Sequence, residues 1–343
     1  MAAGLSLQDG CQWLRCSADM AYKLLYGIDV LEGLKQLESE SVQCVVTSPP
    51  YWGLRDYGVE NQLGLEPTPE VYVEKLVSVF REVGRALRDG GTVFLNLGDS
   101  YNSPPVGKFN GGGFKDSSAI TGGRDMSGIA SGSIIDRTKL SGLKPKDRCG
   151  IPHRVVFALQ KEGWWWRDEI IWHKPNPMPE SVTDRCTKSH EFVFMLTKSA
   201  NYYYDQAAIK EPMSEETKER DKYGFNGAFK GQFRGTPNED RWQEGRPFEK
   251  GSFYSEYGRN PRSVWSISTQ GYAGAHFAVM PIELAKKCIL AGSKAGDTVL
   301  DMFSGSATTI QAAVELGRIG IGIDLNSDYL PLAEKRLAQG VLI

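Results

Sequence analysis

The chain has 343 residues, enough for one large domain carrying insertions. It is 41% hydrophobic and 24% charged, with a net charge of −2, so a protein coated in basic residues is disfavoured; no apolar stretch is long enough to span a bilayer and no signal peptide is recognisable. The six cysteines form no C-x-x-C pair and the four histidines are scattered, so neither a zinc site nor a disulfide framework is signalled, and a reducing intracellular setting is expected. Charge is nevertheless uneven. Arg137 to Lys188 holds 11 Lys/Arg against 6 Asp/Glu, and Lys222 to Trp265 holds 8 against 5, whereas the first hundred residues are acidic. Local charge governs nucleic-acid contact more than the total does.

In chain order, KLLYGID (23–29) reads as a short strand, VLEGLKQL as a helix, and VQCVV (42–46) as a buried strand. That strand runs into Ser48-Pro49-Pro50-Tyr51. Neither proline can donate to a ladder, and each forces its predecessor into extended backbone, so the chain leaves the sheet on a stiff track with Ser48 and Tyr51 at the rim. Thr68-Pro69 opens a helix with Leu76, Phe80, Val83 and Leu87 as its apolar stripe; Gly90-Gly91 is expected to stop it before the strand TVFLNLGD. Residues 103–142 are rich in Gly, Ser and Asn, as expected of a mobile functional loop or of a disordered segment. Residues 151–174 read as helix, turn and strand. EFVFMLTKS and NYYYD read as a hairpin pair of strands. The segment 207–263 is polar, with recurring aromatics and no capacity for a deep core. Pro281 starts a helix, TVLDMF is a strand, GSATTIQAAVELG a Gly-led turn and helix, and IGIGID a further strand. The alternation is that of an α/β protein.

Strand, Gly turn, helix, strand and terminal acid form a nucleotide-type βαβ unit, here VLDMFSGSATT through GIGID. The spacing is not G-x-G-x-x-G, so the dinucleotide fingerprint fails. Gly305 permits close backbone approach, Asp324 is placed to accept from ribose hydroxyls, and Asp301 would repel a pyrophosphate but suit a ligand bearing an ammonium. S-adenosylmethionine carries an ammonium and a sulfonium. The alternative is a plain βαβ packing unit. An exocyclic base amine is a poor nucleophile because its lone pair is delocalised into the ring. Acceptors at Ser48 Oγ and the Pro49 carbonyl, held still by Pro49 and Pro50, would draw it toward tetrahedral geometry while Tyr51 stacks on the base. Such chemistry requires the base to leave the duplex.

These residues resemble the amino-DNA methyltransferases, which methylate cytosine N4 or adenine N6. Ser48 to Tyr51 matches their (Asp/Asn/Ser)-Pro-Pro-(Tyr/Phe) motif. Asp301, Phe303, Gly305 and Ser306 match D-x-F-x-G-S-G, with Ala307 in place of the last Gly. Asp324 matches the following acid; His276, Ala278 and Pro281 match the H-x-A-x-x-P helix entry; Gly27 and Asp29 match an earlier Gly-x-Asp whose acid approaches the adenine. RCTKSHEFVFMLTKS resembles the family's KSHE segment. The cradle precedes the cofactor loop, as in the β group. The resemblance implies a class I, Rossmann-like, mostly parallel sheet, circularly permuted, with catalytic segments 1–206 and 264–343 and a target-recognition insertion at 207–263.

It further implies an S-adenosylmethionine cofactor and site-specific methylation of duplex DNA after base flipping. Ser48 in place of Asp favours cytosine N4, with adenine N6 the alternative; a protein or RNA methyltransferase and a catalytically dead DNA-recognition module are the remoter ones. Arg55, Lys174, Arg234, Arg241, Arg246, Arg259 and Arg262 are the candidate DNA contacts. Trp52, Leu54, Arg55 and Asp56 are read as a lid over the flipped base or as ordinary loop packing. His190-Glu191 is read as a structural pair. A homodimer, a cognate restriction endonuclease and a cytoplasmic, nucleoid-associated location in a prokaryotic or phage setting complete the expectation.

Overall fold

The computed structural model describes residues 22–102, 143–213, 258–269 and 280–340. His276, Arg234, Arg241, Arg246 and the 103–142 loop lie outside them. Contacts divide the chain into two units, one made of Met1–Tyr204 with Ser263–Ile343 and the other of Asp205–Arg262. The strands of the larger unit are β1 (Tyr22–Tyr26), β2 (Val42–Thr47), β3 (Leu87–Leu97), β4 (Trp165–His173), β5 (His190–Thr197), β6 (Val264–Ser266), β7 (Thr298–Asp301) and β8 (Ile319–Asp324). They form one eight-stranded sheet in the order β1-β8-β7-β2-β3-β5-β4-β6. Every pairing is parallel except the two made by β5, so this one strand runs against the other seven.

The helices are α1 (Val30–Lys35), α2 (Pro69–Ala86), α3 (Ile151–Lys161), α4 (Ile282–Gly292), α5 (Thr308–Glu315) and α6 (Leu330–Gly340). Alternate strand residues face different helices, as the two-residue pleat requires. Val45, Val93, Leu95 and Leu97 join the core formed with Leu34, Leu76, Phe80, Val155 and Leu159 of α1, α2 and α3. Their neighbours Cys44, Thr92 and Phe94 instead meet Gly292 of α4, where a Cβ would lie 2.4 Å from Thr92 Oγ1. A second cluster holds Leu24, Ala307, Ile310, Ala333 and Leu337. With both faces covered, β2 is buried along its whole length, which accounts for its unbroken apolar reading.

Local signals explain most boundaries. Thr68 Oγ1 accepts from Val71 N and Pro69 occupies the first helical turn, as the Thr-Pro pair predicts. Two sequence expectations are corrected. Leu87 belongs to no helical stripe: it is the first residue of β3, which passes through Gly90-Gly91 and absorbs the irregularity as a register shift against β2. NYYYD is not a strand; β5 pairs with β3 on one side and β4 on the other, leaving no partner position for a hairpin mate. β6 and α6 were not predicted: a three-residue strand is too short to show a period. Among the described residues no helix is long and apolar enough to cross a membrane.

In the smaller unit, Ala207–Ile209 forms a short 3-10 turn and Glu211 bridges Arg259 backbone to backbone. The Glu211 carboxylate receives Arg259 and Arg262, each at 3.0 Å. Burial pushes Glu211 up, but its hydrogen bonds and charge attraction with Arg262 and the Arg259 charge hold it below its ordinary value. Arg259 and Arg262, two of the candidate DNA contacts, thus share one carboxylate within their own unit.

Candidate active site

In a parallel sheet the loops at the carboxyl ends of the strands share one edge. Here that edge collects Asp29 beyond β1, Ser48–Tyr51 beyond β2, Asn96 and Asp99 at the end of β3, Lys174 beyond β4, Asp301 at the end of β7 and Asp324 at the end of β8. Because β5 is antiparallel, its first residues, His190 and Glu191, arrive at the same edge.

The turn after β7 is stitched at Phe303, Ser304, Gly305 and Ala307. Phe303 N donates to Asp301 Oδ1 at 3.1 Å, Ser304 N to the Ile323 carbonyl at 2.9 Å and Ala307 N to the Ser304 carbonyl at 2.8 Å. Gly305 N donates to Asp324 Oδ2 at 2.7 Å, and the Tyr26 hydroxyl to the Gly305 carbonyl at 2.8 Å. Gly305 is left-handed at φ 50, the conformation for which a glycine is needed. Ala307 adopts φ 61 at the N-terminal boundary of α5 without a side-chain cap, so the departure from glycine is accommodated in left-handed backbone. Asp324 Oδ1 accepts from Asn326 N at 2.9 Å. Burial pushes the Asp324 carboxyl up to about 6, against the two backbone hydrogen bonds. Asp301 is also raised by burial.

Thr47 Oγ1 donates to Asp301 Oδ1 at 2.7 Å, a buried bond between adjacent strands whose residues are 254 apart in sequence. Thr47 immediately precedes Ser48. The glycine turn and the Pro-Pro track are therefore joined by one hydrogen bond at neighbouring strand ends.

Around Ser48, the Tyr51 hydroxyl donates to Glu191 Oε2 at 2.7 Å, and Asn96 Nδ2 lies 2.9 Å from the Tyr51 oxygen, 3.0 Å from Glu191 Oε2 and 3.4 Å from Ser48 Oγ. Ser48 Oγ donates to the Tyr51 oxygen at 3.3 Å. The other carboxylate oxygen of Glu191 takes the Lys174 ammonium, which also lies 4.4 Å from the centre of the Trp172 ring. Burial pushes Glu191 up, but the Lys174 charge and the hydrogen bonds from Lys174, Tyr51 and Asn96 reverse this and leave it below its ordinary value. Tyr51 is raised well above the ordinary phenol, first by burial and then by the Glu191 charge. Its ring rests on Gly98, where a Cβ would lie 2.5 Å from Tyr51 Cε2. The Pro50 carbonyl accepts from the Tyr72 hydroxyl at 2.9 Å, tying the track to α2.

Asp29 Oδ1 caps α1 by accepting from Leu31 N at 2.8 Å. Trp52 is a core residue, 1% exposed, with its indole N–H on the Glu66 carbonyl, so it cannot belong to a lid. Lys174, expected at the DNA rim, turns inward to Glu191. Arg55 acts electrostatically on Tyr57 and Tyr329, both also within reach of the Asp324 charge, which puts it toward the β8 end of the site. Pro281 stands at the boundary before α4. Of the three tryptophans in a row, Trp164 packs edge-on to Phe80 at 6.0 Å while Trp165 is exposed.

Sequence reasoning misses Asn96 and Thr47 as members of the site, puts Lys174 at the DNA rim and reads Glu191 as structural only. The available signal was a polar residue inside an apolar strand: Asn96 within TVFLNL and Glu191 at the head of FVFML.

A family model described as DNA methylase matches residues 42–335. The type II methyltransferase M.Cfr9I of Citrobacter freundii is 42% identical over 313 residues, covering 91% of this chain and 87% of the relative. M.SmaI of Serratia marcescens is 42% identical over 317 residues, covering 92% and 91%. Among solved structures, TTHA0409 of Thermus thermophilus, complexed with S-adenosyl-L-methionine, has a TM-score of 0.54 at 24% identity over 93% of this chain and 94% of its own. The PvuII DNA methyltransferase, described as cytosine-N4-specific, has a TM-score of 0.57 at 18% identity over 92% and 86%. Both likenesses concern the fold.

Proposed function

The chain belongs to the DNA methylase family, and from that premise we propose how its site edge works. It is a DNA methyltransferase that uses S-adenosylmethionine and acts on an exocyclic amine of a base in duplex DNA, with cytosine N4 favoured and adenine N6 the alternative. One observation carries the assignment of the residues: the buried Thr47–Asp301 bond, which sets the Ser48-Pro49-Pro50-Tyr51 track beside the Gly305 turn.

The residues of the turn suit the cofactor. Each Asp324 oxygen accepts one backbone hydrogen bond and retains a lone pair for a hydroxyl. The Ser306 hydroxyl is buried with no protein partner, so a ligand group can meet it. Gly305 offers backbone to close approach. S-adenosylmethionine supplies an electrophilic methyl group on a sulfonium. Asp301 and Phe303 shape the turn, and Pro281 and His276 belong to the same proposed cofactor end.

On the other side, Ser48 Oγ and the Pro49 carbonyl accept the two amine hydrogens and localise the nitrogen lone pair. The prolines limit the track's movement, so little reorganisation accompanies the reaction. Tyr51 covers the flipped base. Ser48 in place of an acid supports cytosine N4. The family resemblance also carries the recognition role of 207–263, the DNA contacts of its arginines, a homodimer, a cognate restriction endonuclease and a cytoplasmic location as extensions of this reading.

The test is mass spectrometry of nucleosides from mixed-sequence duplex DNA incubated with the protein and S-adenosylmethionine. N4-methylcytosine is the expected product. N6-methyladenine would keep the cradle and overturn the base. Bound cofactor with no methylated nucleoside would overturn the reading.

A further inference from the structure

Hydrogen-bond polarity around Ser48 is set by a group that can only accept. Ionised Glu191 has no proton to give, so the Tyr51 hydroxyl must donate to it, and the atom of Asn96 lying 3.0 Å away must be the amide nitrogen. The Tyr51 oxygen, having spent its own hydrogen, can then only accept. Asn96 Nδ2 donates to it at 2.9 Å, and the Ser48 hydroxyl points its hydrogen the same way at 3.3 Å. One Ser48 lone pair faces Asn96 Nδ2 at 3.4 Å, and the other is left for an incoming N–H. The chain of donors therefore runs one way, from the substrate amine to Ser48, to Tyr51, to Glu191.

Resting on the function proposed above, we propose that Ser48, Tyr51 and Glu191 form a proton wire that carries the amine proton from the methylated base to the buried Glu191 carboxylate. As the nitrogen–carbon bond forms and the donor's sulfur–carbon bond breaks, the nitrogen gains positive charge. Its proton passes to Ser48 Oγ, the Ser48 hydrogen to the Tyr51 oxygen, and the Tyr51 hydrogen to Glu191 Oε2. The products are a neutral methylated amine and a neutral carboxylic acid, with Ser48 and Tyr51 restored. After the base departs, the proton returns along the same path to water at Ser48.

The strength of each group suits this direction. An alkylated, positively charged ring amine is a strong acid, so a carboxylate held below its ordinary value by Lys174 is base enough. The neutral Tyr51 phenol cannot hold the charge and can only pass it on. The 3.3 Å Ser48–Tyr51 step is long for O–H···O and shortens when the base presses on Ser48, since catalytic hydrogen bonds commonly tighten on substrate binding. Asn96 holds the polarity by directing its two amide hydrogens at Tyr51 and Glu191, with Ser48 Oγ a longer contact of the same nitrogen. Lys174 is a positioning residue that keeps Glu191 ionised.

The experiment compares single-turnover methylation of duplex DNA by the wild type, Tyr51→Phe and Glu191→Gln in H2O and D2O, with infrared difference spectra of the turnover. Tyr51→Phe keeps the ring and the Glu191–Lys174 pair, so it remains informative even if Glu191→Gln folds poorly. The wild type is expected to show a solvent isotope effect whose proton inventory is curved, and a carboxylic-acid carbonyl band absent from Glu191→Gln. Tyr51→Phe is expected to lose about 10²-fold in rate together with the curvature, with cofactor and DNA affinities within about twofold. An active wild type with an unchanged rate and isotope effect in Tyr51→Phe overturns the wire alone. The same infrared band in Glu191→Gln also overturns it. A wild type that methylates no DNA overturns both the wire and the function on which it rests.

Discussion

Gly98 has no room for a methyl group, because a Cβ there would sit 2.5 Å from the Tyr51 ring. Gly98→Ala must displace that ring from Glu191 and Asn96. The expected result is a fall in single-turnover rate of roughly 10-fold or more with cofactor affinity nearly unchanged, since the Gly305 turn lies on other strands. Calorimetry and single-turnover kinetics check both halves. Ala307 poses the opposite case. Its left-handed backbone costs on the order of 1 kcal/mol, but its methyl is buried beside Leu24 and Ile310, which offsets about 0.8 kcal/mol. Ala307→Gly should therefore shift stability by less than about 1 kcal/mol. Ala307→Val places a β-branched residue in the same backbone and should cost about 2 kcal/mol or more in denaturant unfolding.

Among the elements, the reversal of β5 has the largest consequence. Were β5 parallel to its neighbours, Glu191 would lie at the opposite edge and Tyr51 would lack its acceptor. The β2 exit is equally constrained, since the Tyr72 hydroxyl holds the Pro50 carbonyl from α2 and Trp52 anchors the following loop in the core. Trp52→Ala is expected to destabilise the protein by about 3–5 kcal/mol in denaturant unfolding, the cost of emptying a buried tryptophan site. A merely peripheral lid residue would cost less than about 0.5 kcal/mol. Element types were legible in periods, caps and glycines. The exceptions have physical reasons: β3 begins directly where α2 ends, with no turn between, and NYYYD has β composition but no free sheet edge to join.

At the scale of the whole molecule, buried carboxylates at one sheet edge link stability to pH. The Asp324 carboxyl is raised by burial to about 6, from 3.8 in the open chain. Its contribution to stability is thus fully present below the unfolded value and is lost as pH rises through about 6. Cofactor binding should respond with the opposite sign. If ionised Asp324 accepts hydroxyl hydrogen bonds, the affinity for S-adenosylhomocysteine should fall as pH drops through about 6, and binding there should release a proton. Calorimetry in buffers of different ionisation enthalpy measures that proton; affinity independent of pH across this range would remove Asp324 from the cofactor end.

Read alone, the chain determined its α/β class, the stiff Ser48-Pro49-Pro50-Tyr51 exit, the Gly305 turn and the acid at Asp324, because proline geometry, glycine freedom and strand–turn–helix periodicity are local properties. It did not show the contacts that join these pieces. The Thr47–Asp301 bond, the meeting of Asn96, Tyr51 and Glu191 from three strands, and the inward turn of Lys174 depend on strand order and on the reversed direction of β5. Those depend on which faces bury against which helices, a property of the packed sheet and of no single segment.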